Sequence, residues 1–184
     1  MAPILLIVGW ISVQLVRGLT FEFQPQAVEA AVSGWPKDVP LSVGKSGTIV
    51  LFLHPHCPCS RATITQLDRL CTIAAHDKVA VHIVFVGTTA DELTGLTKAA
   101  ESLPGVQTHF DSSRALARRF SASVSGETFA FDGQHKLIFH GGLTSARGHA
   151  GDSYALTALA DWLRDGVLPA ASSARRFPTF GCRL

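Results

Sequence analysis

Cys57-Pro58-Cys59 sits in the segment His54-Pro55-His56-Cys57-Pro58-Cys59-Ser60-Arg61, behind a short apolar run and ahead of a stretch with helical spacing. Two thiols this close point to redox chemistry or to metal binding. Proline suits the first position of a helix, where its missing N–H has no partner to lose. Cys57 then meets the free N–H groups and the positive end of the helix dipole, both of which favour a thiolate. Arg61, one turn on, and a protonated His56 add positive charge nearby. A low-pKa thiol behind a strand meets the requirement for thiol–disulfide exchange, with Cys57 as the attacking group. The spacing is C-x-C, so a Cys57–Cys59 disulfide closes a small ring stiffened by Pro58. Strained disulfides are the labile, oxidising kind. If the strain is too great, Cys59 stays free and Cys57 pairs with another thiol. Cys182, in the C-terminal tail, is then the candidate resolving thiol, the alternative being a dangling free cysteine. Cys71 lies on the apolar face of the helix and reads as an inert buried thiol.

The competing chemistry is a metal site. His54, His56, Cys57 and Cys59 offer imidazole and thiolate ligands within six residues, and soft thiolates suit Cu(I) or Zn. Structural zinc sites usually draw ligand pairs from two separate segments, and no second pair of that form exists here. Redox use without a cofactor is the favoured reading, and a metal-binding module or metallochaperone is the alternative. His76, His82, His109 and His135 have no partners in sequence and read as ordinary.

The elements that must position these thiols are legible as periodicity. Gly47 to Leu53 is a β-rich apolar run, as expected for a strand buried on both faces. Ala62, Ile64, Leu67, Leu70, Cys71 and Ala74 have helical spacing. Val79 to Val86 is a second buried strand, Asp91 to Ser102 a helix, Val106 to Phe110 a short strand, and Ser112 to Phe120 a helix capped by Ser112 or Ser113. Glu127 to Phe131 and Lys136 to His140 form a hairpin around Asp132-Gly133. Asp152 to Asp165 is a closing helix with Asp152 as its N-cap. The order β-α-β-α-β-α-β-β-α predicts an α/β fold with a mixed sheet covered by helices on both faces. Of the 184 residues, 47% are apolar and 16% charged, which suits one compact domain and excludes global disorder. The net charge is +2 and the basic residues are scattered, which argues against nucleic acid as a partner.

Ala2 to Val16 carry no charge. This run is short for a span of about 20 residues, unless Arg17 snorkels and Leu19 to Phe21 extend it. A membrane anchor is the favoured reading. A signal peptide needs a basic n-region that Met1-Ala2-Pro3 lacks, and its nearest cleavage site would be Val28-Glu29-Ala30. A buried core helix would show a polar face. The expected division is an anchor or signal-like segment over 1–21, a linker over 22–45 that packs on the domain from Trp35, a domain over 46–166 and an extended tail over 167–184.

Leu51-Phe-Leu-His-Pro-His-Cys-Pro-Cys-Ser-Arg-Ala62, followed by Gln66, Leu67 and Leu70, resembles the RedB-like thioredoxin-fold proteins of bacteria, whose pattern there is F-x-H-P-x-C-P-C-[ST]-R-A. Gly141-Gly-Leu-Thr-Ser-Ala-Arg-Gly-His-Ala-Gly-Asp152 is similar to that group's G-G-[IL]-T-x-x-R-G-H-x-G-D block, and Phe180-Gly-Cys-Arg-Leu184 to its F-G-C-x-L ending. The resemblance implies a thioredoxin-like fold with an added strand and helix in the middle. It also implies a membrane-anchored redox-type domain, expected on the periplasmic or another extracytoplasmic side and acting on protein thiols or disulfides. Arg17, on the C-terminal side of the apolar run, pulls against export. One departure concerns the cis-proline that thioredoxins place opposite the active cysteines, where this chain has Ser121-Ala-Ser-Val-Ser-Gly126. Ser125 or Gly126 stands in the proline's place, which keeps the metal reading open. In the glycine-rich block, Arg147 or His149 could assist proton transfer at the thiols, or the block could simply be a loop that caps the last helix.

Overall fold

The computed structural model describes residues 2–28, 32–73, 78–92, 95–166, 168 and 176–184. Helix α1 (Ala2–Phe23) leads the chain. Its large apolar side chains from Ile4 to Phe23 are all exposed. At 1.5 Å per residue the 22 residues extend about 33 Å, and Pro3–Phe23 is long and apolar enough to cross a membrane. Helical structure thus continues past Val16, with Arg17 on the helix and Leu19 and Phe21 adding to its apolar length.

The domain is a five-stranded sheet of β1 (Gly47–Leu53), β2 (Val79–Val86), β3 (Val106–Asp111), β4 (Glu127–Asp132) and β5 (Leu137–Gly141), in the order β3-β2-β1-β4-β5. β1, β2 and β3 run parallel, while β4 is antiparallel to β1 and β5 to β4. Helices α2 (Pro58–Ile73), α3 (Gly95–Glu101), α4 (Ala115–Phe120) and α5 (Tyr154–Asp165) cover it. This is the expected thioredoxin-like arrangement, with α3 and β3 as the insertion.

Every residue of β1 is buried, which is why its sequence is continuously apolar rather than alternating. Ile49, Leu51 and Leu53 join Leu67 and Leu70 of α2 and Leu156 and Leu159 of α5 in one core. Val50 and Phe52 face Phe120 of α4, Phe129 and Phe131 in the other. Trp35 closes that second core, edge-on to Phe120 and Phe131 at 5.5 and 5.2 Å between ring centroids. Truncating one such phenylalanine to alanine costs about 3–5 kcal/mol.

Three boundaries differ from the sequence reading, the last two because a different side chain caps the element. The helix expected from Asp91 begins at Gly95, with Leu93 and Thr94 outside the described residues. α4 begins at Ala115, and its cap is neither Ser112 nor Ser113. The Asp111 carboxylate accepts from the N–H groups of Ala115 and Ala117 at 2.7 and 2.9 Å. α5 is capped by Ser153, whose hydroxyl accepts from Leu156 N–H at 3.0 Å, and Asp152 instead pairs with Arg69 at 3.0 Å. Ala74 and His76, read from sequence as helix and as ordinary, lie outside the described residues, as do Glu29 and Ala30 of the expected cleavage site.

Residues 176–184 are not a loose tail. Phe177 N–H donates to His140 O at 2.8 Å and Gly142 N–H to Pro178 O at 3.2 Å, so the segment runs along the outer edge of β5. Phe177, Thr179 and Phe180 are buried there. The register then carries Cys182 to the end of the sheet where β1 meets α2.

Candidate functional site

β1 ends at Leu53 and α2 begins at Pro58, so Cys57 abuts the first turn, as the proline predicts. Between them the chain turns tightly, with Cys57 N–H donating to His54 O at 3.1 Å. Ser60 and Ser125 brace this turn. His54 N–H donates to Ser125 Oγ at 2.9 Å, Ser60 Oγ lies 3.0 Å from His54 O, and the two hydroxyls are 2.8 Å apart. Each hydroxyl has one proton. Ser60 spends its proton on the His54 carbonyl, so Ser125 donates to Ser60. Ser125, one of the two residues read as standing in the proline's place, therefore stitches the two loops together.

The Ser121–Gly126 loop is fixed from behind by a buried carboxylate. Glu127, with no exposed surface, accepts from Ser123 N–H at 2.8 Å and Val124 N–H at 3.1 Å. Its other oxygen meets His140 Nε2 at 2.6 Å, and the imidazole stacks on Phe129 at 4.5 Å. A buried carboxylate without such partners would be costly.

The tail pairs with the front of the same loop. Ser125 N–H donates to Cys182 O at 2.8 Å and Leu184 N–H to Ser123 O at 2.9 Å, an antiparallel bridge between Val124 and Arg183. This seats the Cys182 Sγ 2.8 Å from the Cys57 Sγ. Cys57 is buried, with 4% of its surface exposed, Cys59 is half-buried and Cys182 exposed. Burial pushes the Cys57 thiol up. Hydrogen bonds from the Cys182 side chain and backbone, and from the backbone and side chain of Cys59, outweigh it and bring the pKa below the ordinary thiol value. Cys59 is held high by burial and then by the charge on Cys57, with Arg147 acting in the opposite sense. Although the residue as a whole is exposed, desolvation of its sulfur, followed by the bond to Cys57, pushes Cys182 up to about 12. The assembly is thus one acidic thiol flanked by two that keep their protons and donate to it.

Arg61 and His56 were expected to make Cys57 acidic. Both are exposed and share with Cys57 a small surface cleft of about 150 Å³, but Cys182 and Cys59 do the shifting. The alternative metal set read from sequence, His54, His56, Cys57 and Cys59, is not assembled among the described residues. His54 Nδ1 accepts from His56 N–H at 3.2 Å, and burial, then the charges of His56 and Arg114, lower the His54 pKa. Among the described residues the soft-ligand cluster is Cys57, Cys59 and Cys182, with sulfurs within 4.8 Å of one another.

Of the two candidates in the glycine-rich block, Arg147 reaches the thiols and His149 does not. The Arg147 guanidinium is buried. It donates to the Gly181 and Phe21 carbonyls, the latter at 2.9 Å, and lies over the Phe21 ring at 4.5 Å. His149 pairs with Glu22 at the end of α1. Sequence reasoning missed Ser60, Ser125, Glu127 and His140 as supports of the site. A glutamate opening an otherwise apolar strand was the available signal, since a buried charge needs stated partners.

No family model matches the sequence, nor does any curated protein. Solved structures do. An uncharacterised conserved protein from Geobacillus kaustophilus is 18% identical with a TM-score of 0.61, over 88% of this chain and 91% of its own. A hypothetical protein from Sinorhizobium meliloti is 16% identical with a TM-score of 0.63, over 88% and 97%. A thioredoxin-like protein from Aeropyrum pernix is 16% identical over 91% and 100%, with a TM-score of 0.47. At these identities the likeness to the Geobacillus and Sinorhizobium proteins is one of fold alone: the chain is an α/β protein whose own sheet order, β3-β2-β1-β4-β5, follows the thioredoxin-like arrangement, with an apolar helix ahead of it.

Proposed function

We propose that this chain is a RedB-like, membrane-anchored thiol–disulfide redox protein in which Cys57 attacks and Cys182 resolves. The observation that carries the reading is the 2.8 Å approach of the Cys182 sulfur to the Cys57 sulfur, at a thiol whose pKa is lowered. In the reducing direction, the Cys57 thiolate bonds to one sulfur of a partner disulfide and expels the other as a thiolate, which takes up a proton. Cys182, having lost its proton, then attacks the Cys57 sulfur and releases the second partner thiol. Two electrons pass to the partner, and a Cys57–Cys182 disulfide remains. The reverse sequence oxidises a partner dithiol. Cys59 donates to the attacking thiolate and is the second resolving candidate. Residues 1–21 act as the anchor, 22–45 as a linker, 46–166 as the working domain and 167–184 as the arm bearing Cys182, on the extracytoplasmic side.

A second reading rests on the three clustered sulfurs. Three thiolates form a soft trigonal set suited to Cu(I). One experiment separates the two. Membrane-extracted protein prepared under native redox conditions is alkylated with and without reductant, mapped by mass spectrometry and analysed for metal. A metal-free Cys57–Cys182 crosslink is expected. Three free thiols with stoichiometric copper would replace the redox reading with the metal one.

A further inference from the structure

We infer that the groove in front of Ser123–Ser125 is a peptide-binding site that takes an extended partner segment carrying a Gly-Cys step, and that residues 181–184 occupy it as an internal stand-in. The inference rests on the redox reading of Cys57 and adds to it the class of substrate.

Three observations converge. The tail binds the loop through main-chain atoms, Ser125 N–H to Cys182 O and Leu184 N–H to Ser123 O. Any extended chain can make such bonds, which is how strand addition gives affinity without side-chain identity. Next, the tail covers the thiol it serves, since Cys57 is only 4% exposed and Cys182 lies over it. A macromolecular disulfide can reach Cys57 in that register only by taking the tail's place. Third, the position before the cysteine tolerates no side chain. A Cβ at Gly181 would collide with the Ser125 carbonyl oxygen and lie 2.9 Å from its carbon. Both are backbone, in a loop that Glu127 holds from behind, so neither can give way cheaply. Arg147 also donates to the Gly181 carbonyl, a contact the partner's own carbonyl would inherit. Past Leu184 the groove opens into a cavity of about 560 Å³ lined by Val124, Arg114 and Arg118, which leaves room for a longer chain.

The exchange conserves electrons as before. The Cys57 thiolate takes one sulfur of a peptide disulfide, the other leaves as a thiolate and is protonated, and a protein thiol then displaces the bound peptide. A tethered segment competes at an effective concentration of order millimolar. Free peptide at about 0.1 mM, where it saturates the groove once the tail is removed, should therefore be slowed roughly tenfold by the wild-type tail.

The test uses the full chain in detergent, fully reduced. The probes are the symmetric disulfides of Phe-Gly-Cys-Arg-Leu and Phe-Ala-Cys-Arg-Leu, with hydroxyethyl disulfide as a small control that enters by the cleft beside Pro58. Released peptide thiol is followed by chromatography. Gly181→Val, which expels the tail and with it the Cys182 donor, should raise the rate of the glycine peptide relative to the hydroxyethyl disulfide control at least about tenfold and leave the alanine peptide slow. Leu184→Pro, which removes only the N–H donor to Ser123, should act in the same direction more weakly. Unchanged rates in both variants, or equal rates for the two peptides, would overturn the inference while the control still reacts. A control that fails to react in wild type and variants would overturn the redox reading along with it.

Discussion

Cys57 abuts the first turn of α2 and Cys71 lies in its last, and burial acts on both thiols in the same sense. At Cys57 the push is outweighed by donors from Cys182 and Cys59. At Cys71 none comes from the described residues: burial, then the Asp68 charge, pushes the thiol up to about 11. Position on a helix is therefore not enough to make a thiol reactive. The groups that donate to the thiolate make the difference, and here the largest of them comes from a segment 125 residues away in sequence.

The sharpest way to break this comparison is to remove each thiol in turn. Cys57→Ser should abolish disulfide exchange in the full chain, whereas Cys71→Ser should leave the rate within about twofold, as expected of an inert cysteine that is only half-buried and remote from the site. Similar losses in the two variants would show that the helix, not the site, was being probed. A smaller effect is expected from Cys182→Ala, which takes away the first-ranked donor to Cys57 and keeps the backbone. Its thiol pKa should rise, and a unit of pKa is tenfold in thiolate. Cys57 alkylation near pH 7 should slow by roughly three- to tenfold, with the pH profile displaced upward. No displacement would place the origin of the acidity elsewhere, in the helix dipole alone.

The smallest effect belongs to Cys71 and appears as a pH dependence of stability. Its folded pKa, about 11, lies above the ordinary value of 9.0, so between the two the folded state holds a proton that the unfolded state has lost. Stability must then fall as pH rises through that window and level off above it. Cys71→Ala should flatten this fall by about 1 kcal/mol, allowing for solvent screening of a half-exposed group. Denaturant midpoints at pH 8.5 and 10.5 would register it, and parallel pH slopes in the two proteins would remove Cys71 as the cause.

The sheet and the cysteine loop were legible in sequence because both are local. β1 announces itself by an unbroken apolar run, the hairpin by Asp132-Gly133, and the start of α2 by Pro58. What could not be read was set by contacts distant in sequence. Ser125 gave no sign that it would bond to His54 and Ser60, and an Ala- and Arg-bearing tail gave none that its last residues would pair with Ser123–Ser125. Caps were misplaced for a related reason. Asp111, Ser112 and Ser113 are all competent capping residues, and the sheet register decides which one faces the exposed N–H groups of α4.

Arg147 and His149 grip the last turn of α1 through the Phe21 carbonyl and ring and the Glu22 carboxylate, and the same arginine holds the Gly181 carbonyl beside the thiols. With α1 in a bilayer, that grip removes the slack a flexible stalk would provide and fixes the height of the sulfurs above the lipid. A protein anchored and acting as proposed would search for its partners in two dimensions, at one level over the membrane. A disulfide standing at a different height, however exposed, would be out of reach.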